Sequence, residues 1–351
     1  MRSSLLLAML LYVWQAATAA PGYPNTESMP ADLVDTQSAW YRACMASKDA
    51  VPPAQDLPSD AERQSAAICV PDDLYYDTKH LPHRTDADWA RVRACAFAQD
   101  EVGVLMMLYA NGYGAKRSPA IAVRYACLLG GAAAEEQSRV LHLSMMDGKS
   151  DGAEFDICDD ATSGFMAGYC ARIEDRRRAQ NRTKVLAKFS QKLNKRERGA
   201  FEQLQTALSA FAQRRGDRET DMTGTARAAL AIQASADEYD AFVSLLGKVA
   251  GGTLERADPI RVRELDLQMD QVLHEVMLSK AIRADSSDRI GDTTIAKVDV
   301  AEAQRAWIQY RGAWVEFIET HRSPRVDRDS LISYLTARRL EQLRSVLEEA
   351  Q

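Results

Sequence analysis

The sequence predicts an all-α protein: a disulfide-braced region of helical hairpins, followed by a bundle of long helices with an internal duplication. Three observations carry that expectation. From Thr85 onward apolar residues recur at three-to-four spacing, and no useful stretch alternates with the period of two that a half-buried strand requires. All six cysteines fall between Cys44 and Cys170, in the first half. A shift of 106 residues lays one apolar stripe of the second half over another. The length of 351 residues allows two or three domains, and 46% hydrophobic with 27% charged residues excludes wholesale disorder. A net charge of −6 argues against a dedicated nucleic-acid binder, whose phosphate contacts need clustered cations.

Residues 1–19 read as an export signal. Arg2 gives a positive start, Leu5 to Trp14 is an almost unbroken apolar run, and Ala17-Thr18-Ala19 offers the small residues a signal peptidase reads, so cleavage is expected after Ala19. The run falls short of the ~20 apolar residues of a spanning helix, and no later stretch approaches one. An exported protein without an integral membrane segment, periplasmic or secreted, is the expectation. Export to an oxidising compartment makes Cys44, Cys69, Cys95, Cys127, Cys158 and Cys170 a disulfide set. Fifteen connectivities are open. The sequential one is preferred here: Cys44–Cys69, Cys95–Cys127 and Cys158–Cys170. His80 and His83 lie between two of these cysteines, but beside Pro82 and at no standard zinc spacing, so no metal site is expected.

Eight of the eleven prolines stand at or before Pro82. Residues 20–83 therefore read as a mostly extended segment with one short helix around Thr36 to Ala46, draped over the helical region that begins near Thr85. Residues 84–170 are helical and cysteine-rich. Trp89, Val92, Cys95 and Ala96 share one helix face, and Leu105, Tyr109, Gly112, Gly114, Ala122 and Tyr125 spell helix, glycine turn, helix. A 36-residue shift maps Leu105 to Leu141, Gly112 to Gly148 and Trp89 to Tyr125, a period typical of stacked hairpins. These residues resemble the Sel-one-like repeat, a tetratricopeptide-related hairpin, and depart from it at Met106, Ser118 and Leu129. Asp147, Asp151, Glu154, Asp156, Asp159 and Asp160 do not follow the calcium-loop order, so they read as a surface turn closed by Cys158–Cys170.

Residues 171–351 form the helical domain. Eleven Lys or Arg against three acids between Arg172 and Arg198 make a basic helix, read as a solvated face set against the acidic first half. Residues 20–171 carry 12 cations and 22 anions, whereas 172–351 carry 31 and 28. Breaks are expected near 216–225, 251–259, 284–294 and 322–329. Asp327 or Asp329 is the expected cap of the last helix, and Thr223 or Thr225 that of the helix before Ala228. The duplicated stripe aligns Ala200, Phe201, Leu204, Ala207, Leu208 and Phe211 with Ala306, Trp307, Tyr310, Ala313, Trp314 and Phe317. Offsets of 0, 1, 4, 7, 8 and 11 put each set on one helix face, which is a core stripe.

The second copy, running from Ala303, Gln304, Arg305, Ala306 and Trp307 to Tyr310, Arg311, Gly312 and Ala313, resembles the signature of the LprI-type lysozyme inhibitor family. Leu265-Asp266 with Met269-Asp270, and Leu335 to Leu340, resemble its flanking elements. Gly312 stands where the family has Asp, Asp270 where it has Asn, and Leu273 where Tyr is common. The resemblance implies an exported, mostly helical binding protein that acts on a lysozyme-type muramidase by occlusion; an envelope scaffold with no inhibitory activity is the alternative. No enzyme is expected: there is no H-E-x-x-H, no G-x-S-x-G, no phosphate-binding loop and no G-x-G-x-x-G, and His142, His274 and His321 stand isolated. No cofactor is expected either.

Overall fold

The computed structural model describes residues 22–146, 154–281, 288–321 and 326–348. The expected signal at 1–19, Asp147, Gly148 and Asp151 lie outside the described residues. The regular structure of the described residues is helical, and the one β-bridge among them joins Arg289 to Ala296. Two compact units form, residues 1–68 with 93–155 and residues 69–92 with 156–351.

In the first unit, to which α2 (Asp60–Ser65) also belongs, α1 (Ala39–Ser47), α5 (Val102–Asn111), α6 (Pro119–Leu129) and α7 (Ala133–Met145) build the core. The hairpin of α5 and α6 turns at Gly112, whose φ of +73° is the left-handed cap that glycine adopts freely. Ser118 caps α6 by accepting from the Ile121 amide, and the Tyr109 and Tyr125 rings stack 6.1 Å apart across the hairpin. The Tyr109 hydroxyl donates to Asp56 at 3.0 Å. The segment before α1 does drape over this core: Asn25 donates its amide to the Cys127 carbonyl at 2.7 Å, and the Tyr23 hydroxyl donates to the Cys44 carbonyl at 2.9 Å.

Two expectations need correction here. Cys44 bonds Cys127, with Cα atoms 5.8 Å apart, so neither the expected Cys44–Cys69 nor the expected Cys95–Cys127 pairing forms. The pairing follows from packing, because α1 lies against α6 and α7, and that proximity cannot be seen in sequence separation. Cys158–Cys170 is bonded as expected, Cys69 and Cys95 are also oxidised, and no described cysteine is free. The proline-rich segment also holds more helix than one element. Ser59 and Glu62 form a reciprocal capping box that starts α2. Pro71 opens α3 (Pro71–Lys79) at its first turn, where a missing amide hydrogen costs nothing.

The second unit holds α3, the start of α4 (Asp86–Ala98), and six longer helices: α8 (Gly164–Ser190), α9 (Lys195–Arg218), α10 (Arg227–Gly251), α11 (Pro259–Leu278), α12 (Lys297–His321) and α13 (Arg328–Glu348). The basic face of α8 meets acids of α3 and α10. Arg176 reaches Asp73 at 2.9 Å and Asp77 at 3.0 Å, and Arg182 reaches Asp240 at 2.7 Å. A Cβ at Gly164 would overlap the Thr225 carbonyl, so the start of α8 approaches α10 as closely as glycine permits. Asp327 caps α13 by accepting from the Ser330 amide at 2.8 Å, as expected. Neither Thr223 nor Thr225 caps α10; residue 226 is already helical, and the Thr223 hydroxyl bonds Asp221 instead.

The duplication is a packing relation. The stripes of α9 and α12 face each other in opposite directions: Phe201 lies 5.5 Å from Phe317, and Phe211 stacks 5.8 Å from Tyr310. Around that seam α8 packs on α10 and α11 on α13, so the two three-helix sets repeat the same pairing of their outer helices.

One buried group in the first unit predicts a pH response. Glu136 of α7 is fully buried, and among the described residues neither carboxylate oxygen has a hydrogen-bond partner. Burial pushes its pKa up from 4.5 to about 7, with Arg139 pulling the other way. The folded state therefore holds this proton more tightly than the unfolded chain. Its stabilisation is complete below pH 4.5 and is lost as the pH rises through about 7. Glu136→Gln should stabilise the protein by up to about 3 kcal/mol at pH 8 and by little at pH 4, read from urea midpoints at the two pH values.

Candidate functional site

The signature positions fall into two groups. Ala306, Trp307 and Tyr310 are buried in the seam with Gln304 beside them, and Ala313 is half-buried against the same core. Arg305 is exposed, with Glu302 3.9 Å away. Gly312 is exposed too, and a Cβ added there meets nothing within 4 Å, so packing does not require the glycine. Arg311 makes the connection that matters for shape. Its Nη1 donates to Asp266 of α11 at 2.7 Å and to Thr336 of α13 at 3.2 Å, while its guanidinium lies 4.6 Å from the Trp307 ring centre. Gln304 adds a second link by donating to the Met269 sulfur at 3.5 Å and accepting from Arg339 at 2.9 Å. The three family-like elements thus meet along α12.

Behind them runs a buried charge network. Arg339 of α13 and Glu219, the residue that ends α9, are both fully buried and form two parallel hydrogen bonds of 2.6 and 2.8 Å. Burial alone would raise the Glu219 pKa, but the Arg339 and Arg215 guanidiniums outweigh it and hold the carboxyl below its ordinary value. Arg215 also bonds Glu219 at 2.9 Å and lies 3.7 Å from Glu238. Glu238 accepts from Arg338 at 2.9 Å and from Gln342 at 2.6 Å. Arg338 is where this network reaches the surface.

Two concavities flank Arg338 and Tyr334, which line both. One, of about 510 Å³, lies between α10 and α13 over Asp237, Glu238 and Asp240. The other, of about 370 Å³, lies between α11 and α13. Glu255, Arg256, Ala257, Arg261 and Leu265 line one wall of it, and Ser330, Ser333, Ala337 and Glu341 line the other. On α13 the residues Leu331, Leu335 and Leu343 are buried in the core, which leaves Ser333, Tyr334, Ala337 and Arg338 along the grooves. Lys248 sits 4.6 Å above the Tyr334 ring and holds it from the side.

Leu265, Ala337 and Arg338 fall in the two flanking elements read from sequence, whereas Glu255, Arg256, Arg261, Ser330, Ser333, Tyr334 and Glu341 were not singled out. Arg338 and Tyr334 stand four apart on α13, and the polar run at Ser330 and Ser333 beside them was the available signal; its meaning depends on α11, which is more than fifty residues away. Of the isolated histidines, His274 is exposed and the other two have local partners. His321 stacks on Phe317 at 5.5 Å with Nδ1 3.1 Å from Glu197, and His142 lies edge-on to Phe155. No group of three or more metal-ligating side chains occurs among the described residues. No family model matches the chain, and neither a curated protein nor a solved structure matches it.

The signature should behave as structure at Trp307 and as surface at Arg305. Trp307→Ala is expected to cost about 3–5 kcal/mol in urea unfolding. Arg305→Ala is expected to change stability by less than about 0.5 kcal/mol.

Proposed function

We propose that this is an exported binding protein, acting in the periplasm or outside the cell by occluding a protein partner, with a lysozyme-type muramidase as the partner class. The observation that carries this reading is Arg311, a residue of the inhibitor-like signature that ties together α11 and α13, the two walls of a polar groove. The signature then serves as the frame of a recognition surface. Export is supported by the oxidised cysteines, and no helix among the described residues is long and apolar enough to cross a membrane. The first unit exposes Asp32, Asp35, Asp49, Asp60 and Glu62, which would speed encounter with a cationic partner.

The test is direct. Lysozymes of several types are incubated with the protein while lysis of a cell-wall suspension is followed. Inhibition of at least one type, weakening as salt is raised, is the expected result. Inhibition of none at micromolar excess would favour the scaffold reading instead.

A further inference from the structure

Exposed apolar side chains gather on α11. Ile260, Leu267 and Leu278 are 58%, 70% and 65% exposed, whereas among the described residues no large hydrophobic side chain of α9 or α13 is exposed. Leu267 and Leu278 stand seven and eleven residues further along the helix, and the exposed Glu264, Gln271 and His274 continue the same line. The six make a stripe whose steps alternate between four and three residues, the spacing of a two-helix seam. Leu265, Met269, Val272 and Val276 hold the opposite face of α11 in the core. In the other three-helix set the matching outer helix, α8, carries α3 on a second face, where Arg176 bonds Asp73 and Asp77. The stripe on α11 lies in water instead, at a cost that burial would recover.

We propose that this stripe is an interface between two copies of the chain, with their α11 helices antiparallel and the two-fold axis level with Met269. In that register all six residues meet a partner. Ile260 of one copy packs on Leu278 of the other, Leu267 packs on the stem of Gln271, and Glu264 accepts from His274, each twice by symmetry. Arg261 and Glu275 flank the seam on one edge and pair across it, again twice. Within one copy their described side-chain partners are neighbours on the same helix, Glu264 at 3.5 Å and Gln271 at 3.0 Å. Asp270 makes the one like-charge meeting, on the other edge, where water and salt screen it. A parallel arrangement is opposed by the same charges, because Glu264 would face Glu264 and Asp270 would face Glu275. Charge therefore selects both the second copy and its direction. The 20 residues of α11 span about 30 Å, and one helix face covers less than the ~800 Å² per partner of a standard interface, so a micromolar dissociation constant is expected. Dimerisation of this kind does not depend on muramidase binding, and either can fail alone.

The experiment is sedimentation equilibrium of the full chain, which should show a monomer-dimer equilibrium in the micromolar range. Leu267→Glu should weaken the dimer at least about tenfold at constant Tm, because the residue is exposed in the single chain. Arg261→Glu and Glu275→Arg should each weaken it about tenfold, since either one sets like charges against each other at both flanking pairs. An equimolar mixture of these two variants should associate about as tightly as the unaltered protein, because each supplies the charge that the other lacks. A chain that stays monomeric at about 0.5 mM, a dimer indifferent to Leu267→Glu, or a mixture that associates no better than either variant alone would each overturn the proposal.

Discussion

The second unit depends on a pair of charges placed where water cannot reach them. Arg339 and Glu219 are both fully buried, and each ion left alone there would cost several kcal/mol. Together they repay much of that cost, because the guanidinium and the carboxylate meet edge to edge and the remaining donors of Arg339 find Gln304 and Gln342. The Phe211 ring, 5.5 Å from the guanidinium carbon, closes one face. Such a pair contributes less to net stability than a well-packed apolar substitute. What it adds is discrimination, since any sliding of α13 against the end of α9 strands two charges in the core.

That constraint matters because the surrounding packing is nearly symmetric. The stripes of α9 and α12 present similar aromatic and alanine surfaces to each other, and apolar contacts of that kind tolerate shifts by a helical turn better than ion pairs do. Arg339 comes from the second three-helix set and Glu219 from the first, so their bond spans the seam between them. The consequence reaches the surface through Arg215, Glu238 and Arg338, which place the last guanidinium at the rim of both grooves. Arg311 performs the matching task on the other side by holding α11 and α13 at a fixed separation.

The fold was legible wherever the relevant information is local or repeated. The period of the apolar residues gives the long helices, the 106-residue self-match gives the two core stripes though not that they face each other, and Gly112 with Tyr109 and Tyr125 gives the hairpin. Ser59, Glu62 and Pro71 were local signals too, but proline carries opposite meanings inside a helix and at its first turn, so α2 and α3 were hidden. The Cys44–Cys127 bond depends on how α1 docks on α6, and the groove depends on α11 meeting α13; neither distance is written in any short window. Buried charges are harder still. Glu219 and Arg339 look like ordinary surface residues of ordinary helices until 120 residues of intervening chain bring them together.

The claim that this pair sets the register of the two repeats is tested most directly by a double-mutant cycle in urea unfolding with Glu219→Leu, Arg339→Met and the combination. Each single substitution should cost about 3–5 kcal/mol, and the double should cost no more than either one. Additive losses, or single losses below about 1 kcal/mol, would contradict the account.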